Sequence, residues 1–286
     1  MQLDFSELPL ALFTTCAPIG AGAFVMLAIV VCTCTLSEER LAKLERMMLV
    51  PFCIALVGFV CAFFHLKDAT HVLYAVTGLG SSPLTNEVFA GAVFMAAAAV
   101  YLVLVLAGKL GRARRPLAIV VAVLAVVFAC FMGIAYLMET VASWNSPLTL
   151  AALFGYLIAG GGAGFSLAAA LAKVSPGELA PARNALIAVT ALGAVLALVG
   201  LLGQLALVAG SANAVESGAE LAASVTPAAA IAAVLIAIAA AEVIVGLAKR
   251  MHVGLAASSV VIAAAGILLA RLVFYTLYLS VGVTLM

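Results

Sequence analysis

Residues 86–107 read NEVFAGAVFMAAAAVYLVLVLA, and this stretch decides the fold. Beyond Glu87 it runs to Ala107 without a single charge. As a helix rising about 1.5 Å per residue, it covers the roughly 30 Å of a bilayer's hydrocarbon core. It lacks the period-two alternation of a barrel strand, and a helix satisfies its own backbone groups where no water is present. The same reading finds seven further runs: 8–35, 46–65, 116–138, 148–172, 184–209, 225–248 and 253–284. Charged or Pro/Gly-containing stretches separate several of them: SEERLAKLER (37–46), GKLGRARRP (108–116), KVSPGELAPAR (173–183) and KRMH (249–252).

Composition agrees. The chain is 67% hydrophobic and 9% charged, against about half and about a quarter for a soluble domain. The expected fold is therefore all-α: a polytopic membrane protein with eight transmembrane helices, forming one integral membrane domain over residues 1–286. The longest loop, 66–85, has room only for a hairpin or a short surface helix. Asp4 and Glu7 precede the first run where a cleavable signal would carry positive charge, so that run is expected to remain as a span.

Lysine and arginine set the orientation, because they are retained in cytoplasmic loops. Arg40, Lys43 and Arg46 fall in the first loop, and Lys109, Arg112, Arg114 and Arg115 in the third. Lys173 and Arg183 occupy the fifth, and Lys249 and Arg250 the seventh. Of the thirteen basic residues, only Lys67 lies in an even loop, and Arg271 lies inside the eighth run. Both termini are thus expected outside, with the odd loops in the cytoplasm. The opposite face is acidic, carrying Asp4, Glu7, Asp68, Glu139, Glu216 and Glu220.

Unusual residues gather on that acidic side. Glu87 opens the third run, His65 closes the second, and His71 follows in the loop. Arg271 lies about eighteen residues from the cytoplasmic end of the eighth run. That is about 27 Å of helix, so it approaches the outer boundary. A carboxyl, an imidazole and a guanidinium at one depth point to function, because ionisable groups in membrane helices are costly. A carboxyl in apolar surroundings suits a proton acceptor. Blander readings stand beside these. Glu87 is also readable as a solvated first-turn carboxylate favoured by the helix dipole, His65 as an interfacial residue, and Arg271 as a snorkelling anchor.

Other chemistries lack their residues. A transmembrane pair of bis-His haems needs four histidines, and the chain has three, with His252 on the opposite side. Cys16, Cys32, Cys34, Cys53, Cys61 and Cys130 are scattered through apolar runs and form no ferredoxin-type cluster. No phosphate loop or H-E-x-x-H motif occurs. A single haem with a methionine ligand stays open on the residues alone, while no metal and no nucleic-acid partner are expected. An internal echo links LFTTCAPIGAGAF (12–24) to LFGYLIAGGGAGF (153–165), where Phe13, Gly20 and Phe24 correspond to Phe154, Gly161 and Phe165. Duplication of a four-helix unit, residues 1–140 and 141–286, would produce it. So would the close helix approach that glycines permit.

Four stretches together resemble the DMSO reductase membrane-anchor subunit family: ELPLALFTTCAPIGAGAF (7–24), HLKDATHVLYAVTGLGSSPLTNE (65–87), WNSP (144–147) and ARLVFY (270–275). The likeness covers essentially the whole chain. Its most specific part is the histidine, some twenty residues of loop, then LTNE opening the next helix. HLK here departs from a common HLG pattern, and His71 is an additional imidazole. The resemblance implies a membrane anchor in the bacterial inner membrane, without haem, that oxidises menaquinol near the outer face. It also implies two partners on that face, an iron–sulfur (ferredoxin-like) subunit that receives the electrons and a molybdopterin catalytic subunit. The family's quinol-site glutamate and histidine match Glu87 and His65. In that reading Glu87 takes a proton, His65 bonds the opposite oxygen or relays the proton outward, and Arg271 holds Glu87 or an anionic quinone species. Two alternatives come from the residues alone: a small proton-coupled secondary transporter, and a tether with no quinol contact.

Overall fold

The computed structural model of the protein describes residues 3–65, 78–213 and 215–280. Among these residues, eight helical spans are long and apolar enough to cross a membrane. No strand forms among them beyond two isolated bridges, Val141 with Ser280 and Ala212 with Ser217. The protein is all-α and multi-pass.

Helix α1 covers Leu8–Thr33; α2, Glu38–Met47, leads into α3, Leu49–His65. Next come α4, Pro83–Leu106, and α5, Arg114–Ala135. The fifth span is α6, Pro147–Gly155, and α7, Gly161–Leu171, joined through a π-helical turn at Tyr156–Gly160. The last three are α8, Ala180–Ala209, α9, Gly218–Ala248, and α10, Val253–Thr276. One tetrapeptide, Ser-Pro-Leu-Thr, starts both α4 and α6. Ser82 accepts from the Thr85 N–H and Ser146 from the Leu148 N–H, while Pro83 and Pro147 occupy first-turn positions that need no donor.

Two boundaries differ from the sequence reading. SEERLAKLER is a helix, not a break. Ser37 caps it, Glu38 and Glu39 fill its first turn and Arg46 its last, as the dipole favours. Leu44 and Glu45 are its buried residues, so the second span starts at a polar ledge. The eighth run extends to residue 284 by hydropathy, but α10 stops at Thr276. Beyond it the Leu279 N–H donates to Ser143 Oγ at 3.0 Å, and the Asn213 side chain donates to the Ser280 carbonyl at 3.1 Å. These tertiary bonds replace the helical ladder.

The first and fifth spans form the centre. In each, 72% of the most apolar window is buried, against 22–39% in the other six. Lipid supplies no hydrophobic drive between helices, so small residues that let backbones meet decide the packing. Gly22 and Gly161 are the crossing point: a Cβ on either would overlap the other helix's backbone. Gly20 meets Pro51 and Ala55 of α3, and Gly155, Gly193 and Gly200 close the contact between the fifth span and α8. Around this centre α1 packs on α3, α5 and α10, the fifth span packs on α8 and α10, and α4–α5 and α9–α10 are paired.

The two ends of the bundle differ. At the basic end Arg40 bonds Glu178 (3.2 Å) and the Ala172 carbonyl (3.0 Å). Arg114 bonds Glu38 (2.7 Å) and lies 3.1 Å from Glu45, and the Tyr101 hydroxyl donates to Glu45 at 2.6 Å. The opposite end holds both described chain ends, where the Asp4 N–H donates to Thr276 Oγ1 at 3.0 Å. In the first half the two ends are separated by packed rings of Phe13, Phe24, Phe59, Phe94 and Phe128, with neighbouring centroids 5.2–6.1 Å apart.

Candidate functional site

Glu87 is the fifth residue of α4. Gly80, just before the helix, is tied to its first turn, as its N–H donates to Asn86 Oδ1 at 2.7 Å. Helical spacing puts Glu87, Gly91, Phe94, Ala98 and Tyr101 on the buried face, while Leu84, Val88 and Phe89 face outward. Gly91, one turn beyond Glu87, leaves the space that the Phe59 and Phe128 rings occupy. Glu87 is 4% exposed, and its Oε1 is buried without a hydrogen-bond partner among the described residues. The solvated-carboxylate reading is thereby excluded. A buried polar atom left unmet costs about 1–3 kcal/mol, and such atoms call for a functional account.

Arg271 belongs to α10 and is 1% exposed, so it is not a snorkelling anchor. Its Nε donates to Thr14 Oγ1 of α1 and its Nη2 to the Tyr275 hydroxyl, both at 2.8 Å. The guanidinium carbon sits 4.1 Å from the centroid of Phe274 and 4.7 Å from those of Tyr136 and Tyr275. The Tyr136 and Tyr275 hydroxyls share a hydrogen bond of 2.5 Å. Trp144 stacks on Phe274, with centroids 5.1 Å apart, and its indole N–H donates to the Phe274 carbonyl at 3.1 Å. Among the described residues no carboxylate forms an ion pair with Arg271. Three aromatic faces and two hydroxyls stabilise its charge in place of one.

The two charged residues nevertheless belong together. Glu87, Arg271 and Tyr136 lie within electrostatic reach of one another, and Tyr156, at the head of the π turn, lies within reach of Arg271. Single π turns inside α-helices are frequent at functional sites. Glu87 and Arg271 thus influence one another electrostatically, with no ion pair between them among the described residues. His65 is the last residue of α3, but its side chain, and all of His71, lie outside the described structure. Sequence reading missed Thr14, Tyr136, Phe274 and Tyr275 as members of the cluster. The signal that could have found them was the run RLVFYTLY (271–278), aromatic-dense in a chain that is 7% aromatic. Among the described residues no three His, Cys, Asp or Glu side chains converge as a metal centre would require.

The family model of the DMSO reductase anchor subunit (DmsC) matches residues 1–277. The protein belongs to that family. Among curated relatives, this DmsC-family anchor is 28% identical to the C subunit of the anaerobic dimethyl sulfoxide reductase of Haemophilus influenzae over 165 residues, 56% of this protein and 58% of that one. It is 29% identical to the corresponding C subunit of Escherichia coli K12 over 163 residues, 56% and 57% of the two. It is 26% identical to YnfH, an anaerobic dimethyl sulfoxide reductase subunit of Escherichia coli K12, over 155 residues, 54% of each. The match therefore spans little more than half the length of these relatives. No solved structure matches the anchor.

Proposed function

We propose that this protein oxidises a quinol, menaquinol by family likeness, at the acidic end of its bundle, as the membrane anchor of a molybdenum-dependent reductase. The observation that carries the reading is Glu87 Oε1, buried yet unpartnered and flanked on its own helix by the outward-facing Leu84, Val88 and Phe89. A hydroquinone arriving from the lipid meets that edge first. Its oxidation releases two protons and two electrons. Glu87 accepts one proton, and His65 hydrogen-bonds the opposite oxygen or relays the proton outward. Arg271, held rigid by its aromatic cage, keeps a fixed positive field on the carboxyl and on charge developing at the quinol oxygen. The electrons pass to an iron–sulfur cluster of a ferredoxin-like subunit docked on the same end, and from there to a molybdopterin subunit.

The basic end faces the cytoplasm in this reading, and both termini face outward from a bacterial inner membrane. Proton release is on the outer side. Along α4, Phe94 stands midway between Glu87 and Tyr101, which are about 21 Å apart, and the ring layer around it offers no polar stepping stone. We also take residues 1–140 and 141–286 as two related four-helix units. The packing of α1 on α3 and α5 mirrors that of the fifth span on α8 and α10.

The test uses the assembled complex purified in mild detergent. Glu87→Gln should lower quinol-linked turnover by about 10²–10⁴-fold and leave assembly and artificial-dye-linked reduction unchanged. Wild-type quinol turnover in that variant would remove Glu87 from the mechanism. Purification of the protein without molybdenum or iron–sulfur subunits would remove the anchor role.

A further inference from the structure

A second built feature lies at the basic end, far from Glu87. The fifth span ends at Leu171, α9 ends at Ala248 and α10 begins at Val253. Between these ends opens a cavity of about 520 Å³, lined by Ala170, Lys173–Pro176 and Lys249–Val253. Lys173, Lys249, Arg250 and His252 all line it, and no Asp or Glu does. Among the described residues these four make no ion pair. The nearest carboxylate in sequence, Glu178, reaches the wall only through the lining residue Ser175 and is already engaged: its Oε1 accepts from Arg40 (3.2 Å), and its Oε2 accepts from the Ser175 N–H (2.7 Å) and hydroxyl (2.8 Å).

One further observation points to an anion, and another to room beside it. Helix α10 starts at this cavity. His252, at its N-cap, makes no side-chain cap, and no acidic residue occupies the first turn, so the positive end of the helix dipole is uncompensated. Gly254, in that turn, borders open space, where a Cβ would meet nothing within 4 Å. Apart from Ser175, the remaining walls are apolar: Ala170, Val174, Pro176, Met251 and Val253. Free phosphate has no use for such walls, and the volume falls within the roughly 300–1,000 Å³ of organic-ligand pockets. Cations above an apolar wall, at the level where three spans end, match a phosphodiester with its acyl chains running down beside the helices.

We infer that this cavity binds the head group of an anionic phospholipid. Lys249, Arg250 and Lys173 hold the phosphate, and Val174, Met251 and Val253 receive the glycerol end of the acyl chains.

The experiment takes the full-length protein, delipidated in detergent, and titrates it with diphosphatidylglycerol, phosphatidylglycerol, phosphatidylethanolamine or inorganic phosphate. Native mass spectrometry reads retained lipid, and thermal unfolding reads the shift. Both anionic lipids should be retained and raise the unfolding temperature; phosphatidylethanolamine and inorganic phosphate should not. Lys249→Gln/Arg250→Gln should weaken anionic-lipid binding roughly thirtyfold, at about tenfold per 1.4 kcal/mol and about 1 kcal/mol per basic residue. A matched control, Lys109→Gln/Arg112→Gln, removes two cations that do not line the cavity and should bind as wild type. Equal losses in the two double variants would reduce the effect to general surface charge and overturn the site. An equal shift from inorganic phosphate would overturn the lipid assignment. If the Lys249/Arg250 variant fails to fold, Lys173→Gln with Gly254→Asp, which adds a negative charge at the start of α10, supplies the same comparison.

Discussion

Tyr275 follows Arg271 by one helical turn and receives its guanidinium hydrogen bond at 2.8 Å, while its own hydroxyl is shared with Tyr136, the C-cap of α5. The arginine, the turn that carries it and a helix from the other half of the protein are thereby fixed to one another. Tyr275→Phe leaves a buried guanidinium nitrogen without its acceptor, which costs about 1–3 kcal/mol. Thermal unfolding of the purified protein should show that loss, and Tyr136→Phe, which keeps the Tyr275 hydroxyl, should show a smaller one.

Arg271→Lys keeps the charge and loses the planar group that fills the cage of Tyr136, Phe274 and Tyr275. An ammonium neither stacks nor reaches Thr14 and Tyr275 together. Quinol-linked turnover should fall with dye-linked activity retained. Lysine supporting the wild-type quinol rate would show that only net charge matters there.

Glu87→Gln should not destabilise the anchor, because Oε1 has no hydrogen bond to lose. Unfolding temperature unchanged or slightly raised, combined with lost quinol turnover, separates a chemical role from a structural one.

At the crossing of α1 and the fifth span, Gly161→Val would drive a side chain into the Gly22 backbone. Overpacking of this kind costs about 1–3 kcal/mol or more, and the yield of folded monomer in detergent should drop accordingly. Gly254→Ala, at a position bordered by open space, should be neutral or gain up to about 1 kcal/mol from helix propensity.

Glu178 lies outside the spans. Burial alone would raise its pKa, but the Ser175 N–H and hydroxyl and the Arg40 guanidinium outweigh it and hold the carboxyl below its ordinary value. A carboxyl depressed in the folded state adds stability above its unfolded value and loses it as pH falls through the folded one. The difference in unfolding temperature between wild type and Glu178→Gln should therefore be full near neutrality and vanish in acid. It should be small throughout, because the pair is partly exposed.

The eight spans were legible because a bilayer forces long uncharged runs, and Glu87 and Arg271 were legible because charges within such runs are rare. What the sequence left open was depth. An arginine eighteen residues into a helix is long enough either to reach lipid headgroups or to be sealed inside, and only the packing of Thr14, Tyr136 and Phe274 around it decides. Those partners lie up to 257 positions away, beyond the range of any periodicity. The polar helix α2 escaped for the opposite reason. Its charges read as a loop, although Ser37 caps it and Leu44 and Glu45 bury against the bundle.

The bond between Asp4 and Thr276 brings the two described ends of the protein together on one side, so the helices trace a nearly closed circuit. A short linker joining Asp4 to Thr276 would let the circuit be reopened between α5 and α6, on the same side, with an even number of crossings preserved. Such a circular permutant would present its new ends in the original compartment, whereas one reopened at Ser175 would have to export loops that now stay behind.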